Sequence, residues 1–305
     1  MSKLIYLGRQ SRFKQGIQTS FCKGTGAEIL YGGYGFDKEG IHDLERVSCP
    51  TELYERLKED DIKFNIATYG IVTKDGRSEN TANSWPVKYD KSVINYKKIL
   101  SMADNFVFLD HGYFMRSSGP ASWDGCFSVS VNEKWVTDKR DYNWNRFNSL
   151  GIKLREWRKG GRHVVLIPPS HHITNYLEQG KEGGDILSYE VDADWEMNVR
   201  SELSKYTDRD IIVSSKSGKP LQACMDNAWC VVTAFSNAGI DAMISGIPAI
   251  FTNSQRKTGE LKDIEDPPRD REFFKVLANY QWSIKEIENG TMWAEIKERY
   301  PQLSV

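Results

Sequence analysis

The segment 228–253, AWCVVTAFSNAGIDAMISGIPAIFTN, constrains the fold more than any other part of the chain. An apolar, β-branched run ends at Thr233, a short polar loop follows, then a stretch of helical period, and a second apolar run starts at Pro248. This order predicts buried strand, loop, helix and buried strand, the unit from which parallel α/β sheets are built. The loop Ser236-Asn237-Ala238-Gly239 is expected at the carboxyl end of the first strand, opening the helix. Backbone N–H groups there, backed by the positive end of the helix dipole, form a natural anion site. The small Ala238 and Gly239 let a phosphate approach the backbone, and Asp241, less than a turn further on, is placed to reach ribose hydroxyls. Many such units bind nothing, so position by itself assigns no ligand.

A chain of 305 residues suits one large domain or two moderate ones. Charged residues make up 27% of it, yet the net charge is −1. That excludes a polycation gripping nucleic acid by bulk charge, so any DNA contact needs a local basic patch. No apolar run is long enough to cross a bilayer and the start MSKLIYLGRQ lacks a signal-peptide pattern, so a cytoplasmic protein without membrane contact is expected. Cys22, Cys49, Cys126, Cys224 and Cys230 are scattered and lack metal-type spacing, which predicts reduced thiols rather than disulfides or zinc.

Short apolar runs predict strands at 3–7, 64–68, 71–73 and 106–109, and 126–131 alternates as a half-exposed strand does. Helical spacing appears around 54–58 and over 93–102. Gly24, Gly26, Gly32, Gly33 and Gly35 lie in a long polar stretch that does not pass straight from strand to helix, so they make a poor dinucleotide fingerprint. After the basic, tryptophan-bearing stretch 144–162, an apolar strand at 164–167, closed by Pro168-Pro169, opens a second α/β domain. Within it, 195–205 and 221–227 predict helices and 211–213 a strand; 271–280 and 283–287 again have helical spacing. The expected division is 1–158 and 159–305, two α/β domains facing each other across a cleft, with the last helices packing back across it.

Asp110-His111-Gly112-Tyr113 directly follows the best strand of the first domain, where open α/β sheets bind ligands. Histidine titrates near neutrality, so His111 can act as a base, with Asp110 orienting it or serving as the base itself. The bland alternative is a turn in which Asp110 caps and His111 packs on Tyr113. Arg116, just beyond, suits an anionic acceptor or solvent. Ser170-His171-His172 takes the matching place in the second domain; no third ligand has metal-type spacing, which leaves contact with a donor sugar or phosphate, or a solvated loop. Ser214-Ser215-Lys216-Ser217-Gly218-Lys219 follows the 211–213 strand and suits a diphosphate, or is a surface turn. For nucleic acid, basic residues including Arg12, Arg116 and Arg146 are interleaved with Trp123, Trp135, Trp144 and Trp157, so that arginines meet phosphates and rings stack on an extruded base, unless the run is simply a solvated face.

Several of these residues resemble the donor half of GT-B glycosyltransferases: Val231-Val232-Thr233, Ser236-Asn237-Ala238-Gly239-Ile240-Asp241-Ala242 and Gly246-Ile247-Pro248-Ala249-Ile250. In that family a small-residue loop opens a helix under the donor diphosphate and an acidic residue one turn in holds the ribose; Asp241 falls at that place, where Glu is commoner. Leu109-Asp110-His111-Gly112-Tyr113-Phe114, Ile264-Glu265-Asp266-Pro267-Pro268 with Asp270-Arg271, and Leu277-Ala278 with Gln281-Trp282, Glu286-Ile287 and Gly290 further resemble a group of phage-encoded GT-B-like proteins, some thought to glycosylate modified DNA bases. Residues 8–40 and 177–192 have no counterpart. Ser214-Ser215 replaces the basic residue common beside the donor strand, which leaves Lys216 as the phosphate partner.

The resemblance implies a GT-B-like α/β fold of two facing Rossmann-like domains, acceptor on 1–158 and donor on 159–305. It implies a sugar transferase taking a nucleotide-diphosphate sugar, UDP-sugar first, with no obligatory metal. The expected base is Asp110 or His111. Lys216, Ser236, Asn237, Ala238, Gly239, Asp241, His171 and Ser215 are expected on the donor, and Arg12, Tyr113, Arg116 and Arg146 on the acceptor. The expected acceptor is a hydroxymethyl-type pyrimidine in double-stranded phage DNA, within an infected host's cytoplasm. The alternatives are a glycan acceptor, or a non-catalytic nucleotide-sugar or DNA-binding module of GT-B shape.

Overall fold

A computed structural model of the chain describes residues 3–9, 15–32, 58, 64–70, 92–116, 124–179, 184–214 and 221–304. In chain order the strands are β1 (Lys3–Arg9), β2 (Glu28–Gly32), β3 (Phe64–Tyr69), β4 (Asn105–His111), β5 (Cys126–Val131), β6 (His163–Ile167), β7 (Asp210–Val213), β8 (Ala228–Thr233), β9 (Ala249–Phe251) and β10 (Gln281–Ser283). The helices are α1 (Gln15–Thr25), α2 (Ser92–Met102), α3 (Asn145–Ser149), α4 (His171–Gln179), α5 (Trp195–Leu203), α6 (Leu221–Met225), α7 (Asn237–Ile244), α8 (Phe273–Asn279), α9 (Ile284–Glu288) and α10 (Thr291–Arg299). Two compact units result: Met1–Lys134 with Asn175–Ser188 and Tyr280–Val305, and Trp135–Thr174 with Tyr189–Asn279. Both are α/β, each centred on parallel strands, consistent with GT-B-like Rossmann domains.

The first unit carries a six-stranded sheet ordered β10-β5-β4-β3-β1-β2. β2, β1, β3 and β4 run parallel, β5 pairs antiparallel with β4, and β10 pairs antiparallel with β5. The strand expected to be half exposed, β5, is buried at all six positions, because it pairs on both edges and both its faces are covered. Its alternation of Ser128 and Ser130 with apolar residues therefore does not mark a wet face; the Ser128 and Ser130 hydroxyls donate to backbone carbonyls of His111 and Glu133 instead. At the amino ends of β3 and β4, the Asn105 side-chain amide donates to Asn65 and the Asn132 amide to Asn105, both at 2.9 Å, which pins the register of the sheet.

α1 occupies part of what the sequence shows as a polar, glycine-rich stretch. Ile17 and Phe21, one turn apart, are both fully buried, and the Phe21 ring lies 5.3 Å from Tyr6 of β1 and 6.2 Å from Trp293 of α10. A Cβ on Gly24 would lie 1.8 Å from the Ile287 carbonyl oxygen, so glycine there lets α1 approach α9. This glycine serves packing.

The second unit has a parallel sheet ordered β7-β6-β8-β9. Val164–Ile167 and all of β9 are buried, and β8 is buried but for Trp229. α7 is finished at both ends by its own sequence. At its start the Ser236 hydroxyl accepts from the Ala238 N–H at 3.2 Å. At its end Gly246, with φ +81°, donates to Met243, and Ile247 donates to Ala242, the two bonds of a Schellman motif. The Arg271 guanidinium, stacked 3.7 Å from the Trp157 ring centre, also donates to the Met243 carbonyl and places positive charge at the helix's negative end.

Candidate functional site

In the second unit the chain leaves β6 for β7 on one side and returns to β8 on the other. The strand order therefore reverses between β6 and β8, and their carboxyl ends flank the crevice where open α/β sheets take ligands. The two ends are tied together there: the Thr233 hydroxyl donates to the Ile167 carbonyl at 2.9 Å and accepts from the Ser236 N–H at 3.3 Å. The 228–253 segment has the expected form, with α7 opening at this crevice. Two first-turn amides, however, are already used. Ala238 N–H goes to the Ser236 side chain and Gly239 N–H to the Ser236 carbonyl at 2.9 Å.

Gly239 does not leave room for a ligand. A Cβ at that position would fall 2.6 Å from the Phe251 ring and 3.2 Å from the Thr233 methyl, so the missing side chain accommodates the fit of α7 onto β8 and β9. Asp241 lies half-buried on the next turn of α7.

A residue that no sequence motif marks completes this corner. Arg256 closes a short 3₁₀ turn (Ser254–Arg256) after β9, and is only 8% exposed. Its Nη1 donates to the Phe235 carbonyl at 2.6 Å and to Asn237 Oδ1 at 3.3 Å, and its guanidinium sits 4.2 Å from the centre of the Trp135 ring. Trp135 stacks on Phe235 at 5.2 Å, and Tyr189 packs edge-on against Trp135 at 6.2 Å. An aromatic wall thus presses a buried cation against the positive end of α7, and two positive features converge on one corner. The signal was a lone arginine three residues past the expected second strand, in Asn253-Ser254-Gln255-Arg256.

In the first unit, Tyr69 of β3 pairs with Leu109 of β4, so Asp110 and His111 extend past the parallel partner at the carboxyl edge. Burial ends at the same place: Asn105 to Leu109 are buried, Asp110 is half-buried and His111 is exposed. The His111 ring meets Tyr69 edge-on at 5.8 Å. The turn beyond is clamped. Gly112 N–H donates to the Cys126 carbonyl and Cys126 N–H to the Met115 carbonyl, while Phe114 N–H donates to Gln281 Oε1 at 2.8 Å. Met115, in the left-handed region at φ +47°, is 56% exposed between buried Phe114 and half-buried Arg116.

The two candidate bases are not equivalent. Asp110 Oδ2 is ion-paired with the Lys134 ammonium, while Oδ1 accepts from the His111 N–H at 2.8 Å. Burial pushes the Asp110 carboxyl up, but Lys134, His111 and their hydrogen bonds outweigh it and hold the group below its ordinary value of 3.8. A carboxylate so held is a weak proton acceptor. Lys134 itself is 5% exposed and lies 4.4 Å from the Phe108 ring centre.

Tyr113 is 2% exposed and belongs to the core, so its side chain is not available to an acceptor. Arg146 lies in α3 of the second unit, and Tyr113 and Arg116 belong to the first. His171 is the first residue of α4. Arg12, Ser215 and Lys216 lie outside the described residues, as do Cys49 and Trp123. The tryptophans read as base-stacking platforms are otherwise engaged: Trp135 on Phe235, Trp144 edge-on to Phe147 at 5.4 Å, and Trp157 under Arg271. Among the described residues no group of His, Cys, Asp and Glu converges to hold a metal ion, and no helix is long and apolar enough to cross a membrane.

No family model and no curated protein matches this chain. Among solved structures it is similar to the Thermosulfurimonas dismutans KpsC beta Kdo 2,7 transferase, with 9% identity, TM-score 0.46 and coverage of 97% of this chain and 100% of that one. The beta Kdo 2,4 transferase of T. dismutans KpsC gives 11% identity, TM-score 0.44 and coverage of 92% and 91%. Methanocaldococcus jannaschii UDP-GlcNAc 2-epimerase, in complex with UDP-GlcNAc and UDP, gives 11%, TM-score 0.26 and coverage of 98% and 100%. Such identities and TM-scores assign no residue a role.

Proposed function

We propose that this protein is a glycosyltransferase that moves a sugar from a nucleotide-sugar donor to a hydroxyl acceptor. The observation that carries the reading is the crevice between β6 and β8, where the start of α7 and the buried Arg256 guanidinium bring positive potential to one corner. That corner suits the phosphates of a departing nucleotide, whose charge grows as the sugar leaves. Arg256 joins Lys216, Ser215, His171, Ser236 and Asn237 as the proposed phosphate-side set, and Asp241 takes the ribose. In the first unit His111 is the proposed base. Its imidazole accepts the acceptor's hydroxyl proton, the oxygen bonds to the anomeric carbon, and the bond from that carbon to the phosphate oxygen breaks. Asp110 is assigned to holding His111.

The donor is proposed as a UDP-sugar and the acceptor as a hydroxymethylated pyrimidine in phage DNA, both on the strength of the resemblance in the residues. Calorimetry with UDP, other nucleotides and their sugars tests the donor, and mass spectrometry of duplexes with and without hydroxymethylated bases tests the acceptor. Sugar added only to the hydroxymethylated duplex supports both. Transfer to a glycan instead removes the DNA acceptor but keeps the enzyme. Nucleotide-sugar binding with neither transfer nor hydrolysis would leave a non-catalytic binding module, and no nucleotide binding at all would remove the proposal.

A further inference from the structure

We propose that Lys134 is a positioning residue, which acts through Asp110 to fix the backbone of His111 at the carboxyl edge of the first sheet. The proposal rests on the reading of His111 as the base. Its ground is a chain of contacts. The buried ammonium holds Asp110 Oδ2, and Asp110 Oδ1 holds the His111 N–H at 2.8 Å. Lys134 is placed from an independent direction. Its backbone lies just past β5, its carbonyl accepts from the Ser130 hydroxyl at 3.3 Å, and its Nζ lies 4.4 Å from the Phe108 ring centre.

The arrangement is more than a surface ion pair. Lys134 is 5% exposed whereas Asp110 is 33% exposed, so the cation sits on the core side and the carboxylate faces the edge. A buried lysine is retained at a cost in desolvation, and an apolar residue of similar length would fill the same space. What methionine could not do is hold Asp110. Among the described residues the groups acting on the Asp110 charge are Lys134 and His111, and Tyr69 is the titratable side chain that β3 brings against the imidazole. β5 contributes Phe127 and Ser128 opposite His111 and Asp110, neither of which titrates. Asp110 is thereby kept as a fixed anchor, leaving the imidazole as the group that exchanges protons with the acceptor.

The test compares Lys134→Met, Lys134→Arg and Asp110→Asn in the full-length chain. Steady-state kinetics use the donor and acceptor found active with the wild type, and hydrogen exchange follows the His111 amide. The expected result for folded Lys134→Met is a kcat lower by about tenfold or more, since small misplacements of a reacting group are costly. Both KM values should stay within about twofold. Lys134→Arg should recover most of the rate, and the His111 amide should exchange faster in Lys134→Met alone of the two. An unchanged kcat in folded Lys134→Met, or a loss confined to KM, overturns the proposal. Should Lys134→Met fail to fold, Asp110→Asn decides, because it breaks the same chain at the next link: a kcat loss at constant KM supports the proposal and wild-type kcat overturns it. If the wild type transfers no sugar, the enzymatic reading has failed by itself. Amide exchange then still reports the positioning, supported by faster exchange in Lys134→Met or Asp110→Asn and overturned by none.

Discussion

Asp110 and His111 were adjacent candidates for one role in the sequence, and only the structure separates them. What separates them is Lys134, 24 residues away, which no local pattern connects to Asp110. The pairing also has a pH signature. Because folding lowers the Asp110 pKa below 3.8, its contribution is fully present above that value and is lost as pH falls through the depressed folded value. Asp110→Asn should therefore cost about 2 kcal/mol at neutral pH, less than a fully buried broken pair because Asp110 is partly hydrated. The gap from wild type should begin to narrow below about pH 4 and shrink further as pH falls. Urea midpoints measured from neutral pH down to pH 3 check this, and a gap that is constant with pH would show that the ion pair does not contribute. At the other site, Arg256→Lys keeps a charge but loses the planar guanidinium that lies against the Trp135 ring while its Nη1 donates to Phe235 and Asn237. Nucleotide Kd should rise about tenfold, read by calorimetry; an unchanged Kd removes Arg256 from the phosphate site.

At the scale of single elements the sequence was most legible where the signal is local. β8, α7 and β9 follow from an apolar run, a serine cap and a second apolar run, and Ser283 with Glu286 forms a capping box at α9 where helical spacing began. Where a residue's role depends on a partner far along the chain, the signal misled. Gly239 has the look of a phosphate-loop glycine, yet it is small because Phe251 lies against it. Trp135 has the look of an exposed stacking platform, yet it is walled in by Phe235 and Tyr189. One island behind the resemblance, 264–271, is explained the same way: the Ile264 carbonyl accepts from the Trp229 indole at 2.6 Å, Glu265 pairs with Arg209, and Arg271 finishes α7. These contacts hold the second unit together without touching the proposed chemistry. Gly239→Ala should then destabilise by about 1–3 kcal/mol through overpacking. Adding Phe251→Leu should return part of the loss. If Gly239→Ala is neutral by thermal melting, the packing account is wrong and the close approach must be for something else.

Across the whole molecule, the first unit is assembled from residues distant in sequence. β10 pairs with β5, Tyr280 accepts from the Val129 N–H at 3.1 Å, and Gln281 receives the Phe114 N–H. Trp282 is 1% exposed, and Trp293 packs on Phe21. A three-residue strand such as β10 has too little periodicity to be visible in a sequence, so its pairing, and its hold on the turn after His111, could not be foreseen. The consequence can be tested by ending the chain at residue 279. Removing β10 exposes the β5 edge, takes the acceptor from Phe114 N–H and uncovers Phe21, while the sheet of β6 to β9 keeps its strand pairings. Hydrogen exchange should show lost protection in β4, β5 and the 112–116 turn, with β6 and β8 protected as in the full chain. Equal loss in β6 and β8 would mean that the two units unfold as one. Protection retained throughout would mean that Gln281 does not hold the turn. With that turn released, the proposed base loses its fixed position, so transfer should fall even though every proposed donor-side residue is still present.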